Sequence, residues 1–84
     1  MTLTFHNRSR SYDKVRQRVR FIGHDGVFEV PFFVETGALP TATNSEADNL
    51  AAFDAARATI HDVAHEIYGN ERKTMYVLTA RDFR

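Results

Sequence analysis

Two stretches of the chain carry the period-two pattern of a half-buried β-strand. Between residues 15 and 22, Val15, Val19 and Phe21 share one parity, and Lys14, Arg16, Arg18 and Arg20 the other. A second β-rich run, Val27-Phe28-Glu29-Val30-Pro31-Phe32-Phe33-Val34-Glu35, follows after Gly23-His24-Asp25-Gly26. Asp-Gly is a strong signal for a two-residue type I′ hairpin loop. With Asp25-Gly26 as that loop, opposed residues have numbers summing to 51, so Phe21 faces Val30, Val19 faces Phe32 and Gln17 faces Val34. The apolar stripes then coincide. On the reverse face Arg16 meets Glu35, Arg18 meets Phe33 and Arg20 meets Pro31. A slip of one residue would mix the two faces. Pro31 cannot donate to a ladder, so its amide side is expected to point away from the partner strand. The hairpin is placed at residues 14–35.

The period then changes. Leu50, Phe53, Ala56, Ile60, Val63, Ala64 and Ile67 follow helical spacing, and Gly69-Asn70 supplies a stop. Thr43 with Glu46 offers a capping box, and Ser45 with Asp48 competes with it. The reading is one long helix over about residues 45–68. At about 24 residues it would span roughly 36 Å, against roughly 27 Å for an eight-residue strand.

Residues 73–80 read as a last strand with apolar side chains at both parities: Met75 and Val77 on one, Tyr76 and Leu78 on the other. A strand covered on both faces has that pattern. Leu3-Thr4-Phe5 reads as a short extra strand, and Gly37-Ala38-Leu39-Pro40 as a turn or a single helical turn. The order β-β-α-β predicts a single α+β domain over residues 1–84, with an antiparallel sheet of three to four strands packed on one helix.

Composition narrows the function classes. The 84 residues contain no cysteine, which removes disulfides, thiolate metal sites and a cysteine nucleophile. No apolar run reaches the roughly 20 residues of a membrane span, and the first residues lack a signal-peptide core, so a cytoplasmic location is expected. Eleven basic and eleven acidic side chains cancel formally. They are nevertheless segregated along the chain. Residues 1–20 carry a surplus of five positive charges, residues 21–66 a surplus of seven negative ones, and residues 67–84 return two positives. Such a chain either presents a polarised surface or neutralises itself where its segments meet.

Three blocks match a known pattern: Asn7-Arg8-Ser9-Arg10-Ser11-Tyr12-Asp13, Val19-Arg20-Phe21-Ile22-Gly23-His24-Asp25 and Glu29-Val30-Pro31-Phe32-Phe33-Val34. With Phe53-Asp54, Arg57 and Ile60 in the helix, and the strand ending Asp82-Phe83, they resemble domain-of-unknown-function family 1488, a group of short bacterial proteins. The resemblance covers nearly the whole chain. It implies a stand-alone fold of one helix on an antiparallel sheet, and it brings no catalytic residue, ligand or cofactor. Pro40 departs from the fuller short helix the resemblance implies there.

Four constellations could carry function. His61 and His65 lie four apart on one helix face and could share a zinc ion, as in H-E-x-x-H sites. Asp62 is a methylene shorter than the glutamate of that motif, and no third histidine or cysteine follows, so no metal site is assigned. Asp54, Arg57, His61 and Tyr68 form a polar stripe along one flank of the apolar arc of the helix, where Arg57 could hold an anionic ligand. Asp54 and Arg57 also form an i, i+3 pair, which the resemblance marks as an anchor between the helix and a neighbouring loop. Tyr12 and Asp13, in a polar loop over residues 7–13, belong to the same stripe; Tyr12 is expected to tuck its ring into the core edge, and Asp13 to cap or pair with an arginine. Arg16, Arg18 and Arg20 with Phe33 make a basic sheet face bearing a ring, the combination that single-strand nucleic-acid binders use. A net charge of zero argues against that use. The expectation is therefore a non-enzymatic domain without cofactor that acts through protein contacts, with a homodimer among the forms considered. A nucleic-acid accessory role is the runner-up.

Overall fold

The computed structural model describes residues 3–5, 10–39, 45–71 and 73–83. Five strands, β1 (Leu3–Thr4), β2 (Arg10–Asp13), β3 (Arg18–Asp25), β4 (Phe28–Glu35) and β5 (Tyr76–Leu78), form one sheet. Two helices, α1 (Glu46–Ala55) and α2 (Arg57–Asn70), pack on one side of it. The fold is α+β, as the pattern predicts, but the sheet is mixed and the helical segment is broken.

The hairpin forms with its loop displaced by one residue. Asp25 pairs with Phe28, so Gly26-Val27 is the two-residue loop and paired numbers sum to 53. Gly26 has φ +64°, and the following valine stays at negative φ, the pattern of a type II′ turn. A type I′ turn on Asp25-Gly26 would need positive φ at the aspartate as well. Asp25 instead closes the ladder, and its carboxylate accepts the Tyr68 hydroxyl of α2. The register therefore slips by two, which preserves both faces. Val19 meets Val34, Phe21 meets Phe32 and Gly23 meets Val30, all buried. On the reverse face the pairs become Arg18 with Glu35, Arg20 with Phe33 and Ile22 with Pro31.

The strand preceding this loop is also shorter than the alternation implies. Residues 14–17 are a turn, Val15 is 90% exposed and Gln17 has φ +51°. Asp13 holds this turn, its carboxylate accepting the Val15 and Arg16 amides at 3.1 and 3.2 Å. Arg16 therefore lies outside the basic row. The polar segment expected to be a loop contains β2, which lies antiparallel to the first half of β3 while β1 pairs with its far end. Arg10 and Tyr12 point inward with Phe21 and Val19, and the short polar sequence hides that alternation.

β5 covers three residues of the predicted 73–80 and runs parallel to β4 (Phe32 with Tyr76, Val34 with Leu78). A single helical pass returns the chain to the end of the sheet where β4 began, so the next strand must run the same way. Two bonds fix the entry to β5: the Lys73 amide donates to the Tyr76 hydroxyl at 2.8 Å, and that hydroxyl donates to the Glu71 carbonyl at 2.7 Å.

Ser45, the competing cap, accepts the Asp48 amide at 3.3 Å and starts α1; Thr43 and Pro40 lie outside the described residues. Thr36–Ala38 forms a single helical turn, which overlaps the described part of the turn or helical turn expected over Gly37-Ala38-Leu39-Pro40. The helix breaks at Ala56, whose amide is shared by the Ala52 and Phe53 carbonyls at 3.1 Å each. Neither proline nor glycine marks that tightening. Asn49, Ala52 and Phe53 of α1 and Ile60 and Ala64 of α2 are buried against the inner sheet face.

Gly23 sits against Leu3 and Phe5 of the N-terminal segment. A Cβ there would come within 2.9 Å of Leu3 Cδ1, 3.0 Å of Phe5 Cε1 and 3.2 Å of Phe32 Cε2. Gly23→Ala is expected to destabilise the fold by about 1–3 kcal/mol, as overpacking does, with each kcal/mol lowering Tm by roughly 4–8 °C in a domain of this size. Thermal unfolding followed by circular dichroism measures it, and an unchanged Tm would mean that the N-terminal segment yields freely.

Candidate functional site

Because both helices lie on one side, the outer face of the sheet carries no secondary element among the described residues. Its rows follow from the register. Ser11, Arg20, Phe33 and Val77 make one row across four strands, and Asp13, Arg18 and Glu35 the next. Ile22 with Pro31 and then His24 with Glu29 complete the face. Val77 is 37% exposed and Met75, just before β5, 39%. The arginine-bearing side of a two-layer sheet thus also carries five apolar side chains, in place of the clean polar alternation of a solvated face.

Of the surface residues singled out in the sequence, Arg18, Arg20 and Phe33 come together and Arg16 does not. Arg18 is already engaged. Its guanidinium lies 3.8 Å from the centroid of the Phe33 ring, and its Nε donates to Asp13 at 3.3 Å. The bond from the Arg16 amide, with those from Arg18 and Val15, holds the Asp13 carboxyl below the ordinary aspartate value. Arg20 is the exposed cation of the row.

Tyr12, Asp54 and Arg57 lie on the other side of the sheet, at the seam between β2 and the helices, whereas Asp13 points to the outer face. Asp54 takes two bonds from Arg10 of β2, at 3.0 and 2.9 Å, and one from Arg57 at 2.7 Å. These bonds, Arg10's first, lower the Asp54 pKa below the usual carboxylate range. One carboxylate thus joins β2 to both helices at their break. Beside it Tyr12 accepts a bond from the amide of Asn49, a fully buried polar side chain, at 3.3 Å. Arg10 and Asn49 escaped sequence reading because their partners are 44 and 37 residues away. Asp54→Asn should cost about 0.5–1 kcal/mol, the range of an exposed ion pair, and a double-mutant cycle with Arg10→Gln in urea denaturation would assign most of that to the pair.

His61 and His65 gather around a ring. The imidazole of His61 stacks on Phe5 with centroids 3.9 Å apart and planes at 8°, while His65 meets the same ring edge-on at 5.4 Å. Among the described residues no group of three or more His, Cys, Asp or Glu could hold a metal. Burial first, then the charges of Arg57 and His65, holds the His61 pKa below its ordinary value against the opposing pull of Asp62. The neutral ring is therefore favoured in the fold. Its contribution is complete above the unfolded value near 6.5 and is lost as pH falls through the lower folded value. Tm should fall on acidification from pH 7.5 to 5.5, before the carboxylates titrate. His61→Phe, which keeps the stack, should flatten that slope; an equal slope in both proteins would assign it elsewhere.

Sequence reading missed one more feature. Moving the loop to Gly26-Val27 leaves Val27 90% and Phe28 73% exposed at the hairpin tip. They border an open groove of about 1020 Å³ lined also by Val30, Tyr68 and Lys73. A valine after Asp-Gly was the available signal. The groove could take an apolar group, and its Asp25 carboxylate is bonded by Tyr68.

No helix among the described residues is long and apolar enough to cross a membrane. No curated relative and no solved structure matches the chain. A family model does, over residues 3–78, which include all five strands and both helices. The chain belongs to DUF1488, a family described as proteins of unknown function.

Proposed function

We propose that this domain is non-enzymatic and works by protein contact through the open face of its sheet. The observation that carries the reading is the apolar set Ile22, Pro31, Phe33, Met75 and Val77, set among charged side chains on the face that no helix of the described residues covers. Contiguous apolar surface rimmed by charge is a mark of protein interaction sites.

The same face supports nucleic-acid binding less well. A stacking platform needs an accessible ring, and Arg18 lies over Phe33. A phosphate track needs cations free of acids, and Arg18 is bonded to Asp13 while Glu35 stands opposite it. With Arg16 displaced into a turn, Arg20 is the member of the predicted row without such a neighbour in the register.

The test is a tagged chain expressed in its native cell, compared with Val77→Glu and Arg20→Glu variants of confirmed fold. The reading expects one stoichiometric protein, a second copy of this chain included, that is recovered with the wild type and lost with both variants. Identical recoveries from all three would overturn it. So would tight retention of single-stranded oligonucleotides at low salt that Arg20→Glu abolishes.

A further inference from the structure

The register determines which residue would lie over which if two open faces met. On β3 the outward side chains are Arg18, Arg20, Ile22 and His24; on β4, row for row, they are Glu35, Phe33, Pro31 and Glu29. Across this pair of strands the cationic residues stand on β3 and the acidic ones on β4, while Asp13 of β2, on the far side of β3, is bonded to Arg18. A two-fold axis running along the strands, in the plane of contact and midway between β3 and β4, sets β3 of one copy over β4 of the other with the rows aligned. Each row then meets its complement twice, as an isologous contact requires. Arg18 meets Glu35, the exposed Arg20 meets the Phe33 position, whose ring already carries the Arg18 guanidinium of its own copy, Ile22 meets Pro31, and His24 meets Glu29. An axis across the strands would instead stack β3 on β3, bringing Arg18 over His24 and Glu35 over Glu29. The charge pattern therefore selects one arrangement.

We infer that the occupant of the open face is a second copy of this chain, packed sheet to sheet about that strand-parallel axis. The inference rests on the protein-contact reading and names its partner. A formal net charge of zero adds no repulsion between copies. Aligned sheet packing turns one sheet by roughly 30° against the other, so the two central rows, Arg20–Phe33 and Ile22–Pro31, keep the closest alignment. The strand residues, each covering about 3.4 by 4.8 Å, present roughly 400 Å² per copy, and the pair buries about 800 Å² in total, the size of a weak, transient contact. A concentration-dependent dimer is expected, and no permanent one.

Sedimentation equilibrium of the purified full chain from about 5 to 500 μM, a range set by that modest area, should show the mass rising from 9.6 kDa towards twice that value. Arg20→Glu, at an exposed position, should weaken self-association at least about tenfold. Arg18→Glu and Glu35→Arg should each be monomeric alone and recover the dimer when mixed, because only the mixture restores both Arg–Glu contacts; misfolded variants would not do this. A wild type that stays monomeric throughout the range overturns the inference. A dimer that neither Arg20→Glu nor Glu35→Arg weakens overturns it too. If the chain is monomeric yet Val77→Glu still strips a different protein from it in the cell, the second-copy occupant fails and the protein-contact reading survives. If neither effect is seen, both fail.

Discussion

A line of aromatic rings across the inner face of the sheet is the contact on which the other elements depend. Phe5, Phe21, Phe32 and Tyr76 follow one another at centroid distances of 5.8, 5.3 and 5.1 Å, one ring each from the N-terminal segment, β3, β4 and β5. The helices join from above: Phe53 of α1 meets Phe21 at 5.3 Å, His61 of α2 stacks on Phe5, and Tyr68 meets Tyr76 at 5.7 Å. Rings bury more area per residue than the alanines that fill the helices, and tilted or offset pairs gain a further increment. Alanine-rich helices supply little buried surface of their own, so they must come close to something large. The ring line is that surface, and Gly23 leaves the space through which Phe5 reaches it.

Placing the rings on one face has a cost on the other. Among the described residues the two helices cover one side of the five-stranded sheet, and the outer side is left to its own side chains. Arg18 shows how part of that side is managed, with its stem and guanidinium laid over Phe33 and its charge held by Asp13. Val77 and Met75 have no such cover among the described residues, and they keep the face apolar at its β5 edge.

The sequence made legible what parity and local spacing control. Parity is immune to a two-residue slip, so the faces of β3 and β4 could be read while the pairing of Phe21 could not. The loop position turns on Asp25, which pairs with Phe28 in the ladder and whose carboxylate is bonded by Tyr68, far along the chain. β2 has two inward residues, one of them an arginine, which is too few and too polar to register as alternation. The direction of β5 could have been deduced from one helical pass between two strands. Asp54 with Arg57 was visible as an i, i+3 pair, but Arg10, which makes it a junction of three elements, could be found only after β2 was in place. The exposed apolar pair at the hairpin tip depends on the loop position and was lost with it.

The segregated charges follow the same logic. Along the chain they form a basic block followed by an acidic one, and in the fold the two blocks are brought together. Arg10 bonds Asp54, and Lys14 approaches Glu46 at 3.9 Å, each pair joining the basic N-terminal block to the acidic helix. Arg18 is held within the basic block itself, by Asp13, its single acid. This pairing consumes the surplus on the helical side, at the seam beside β2. Among the described residues the outer face has no helix to supply acids, so the balance of cationic β3 comes from the neighbouring strands, from Glu35 and Glu29 of β4 and Asp13 of β2. Neutrality there is achieved sideways within one surface, and a surface balanced in that way is complementary to its own image. Sequence segregation, one-sided helical cover and a self-matching face are thus consequences of a single arrangement of strands.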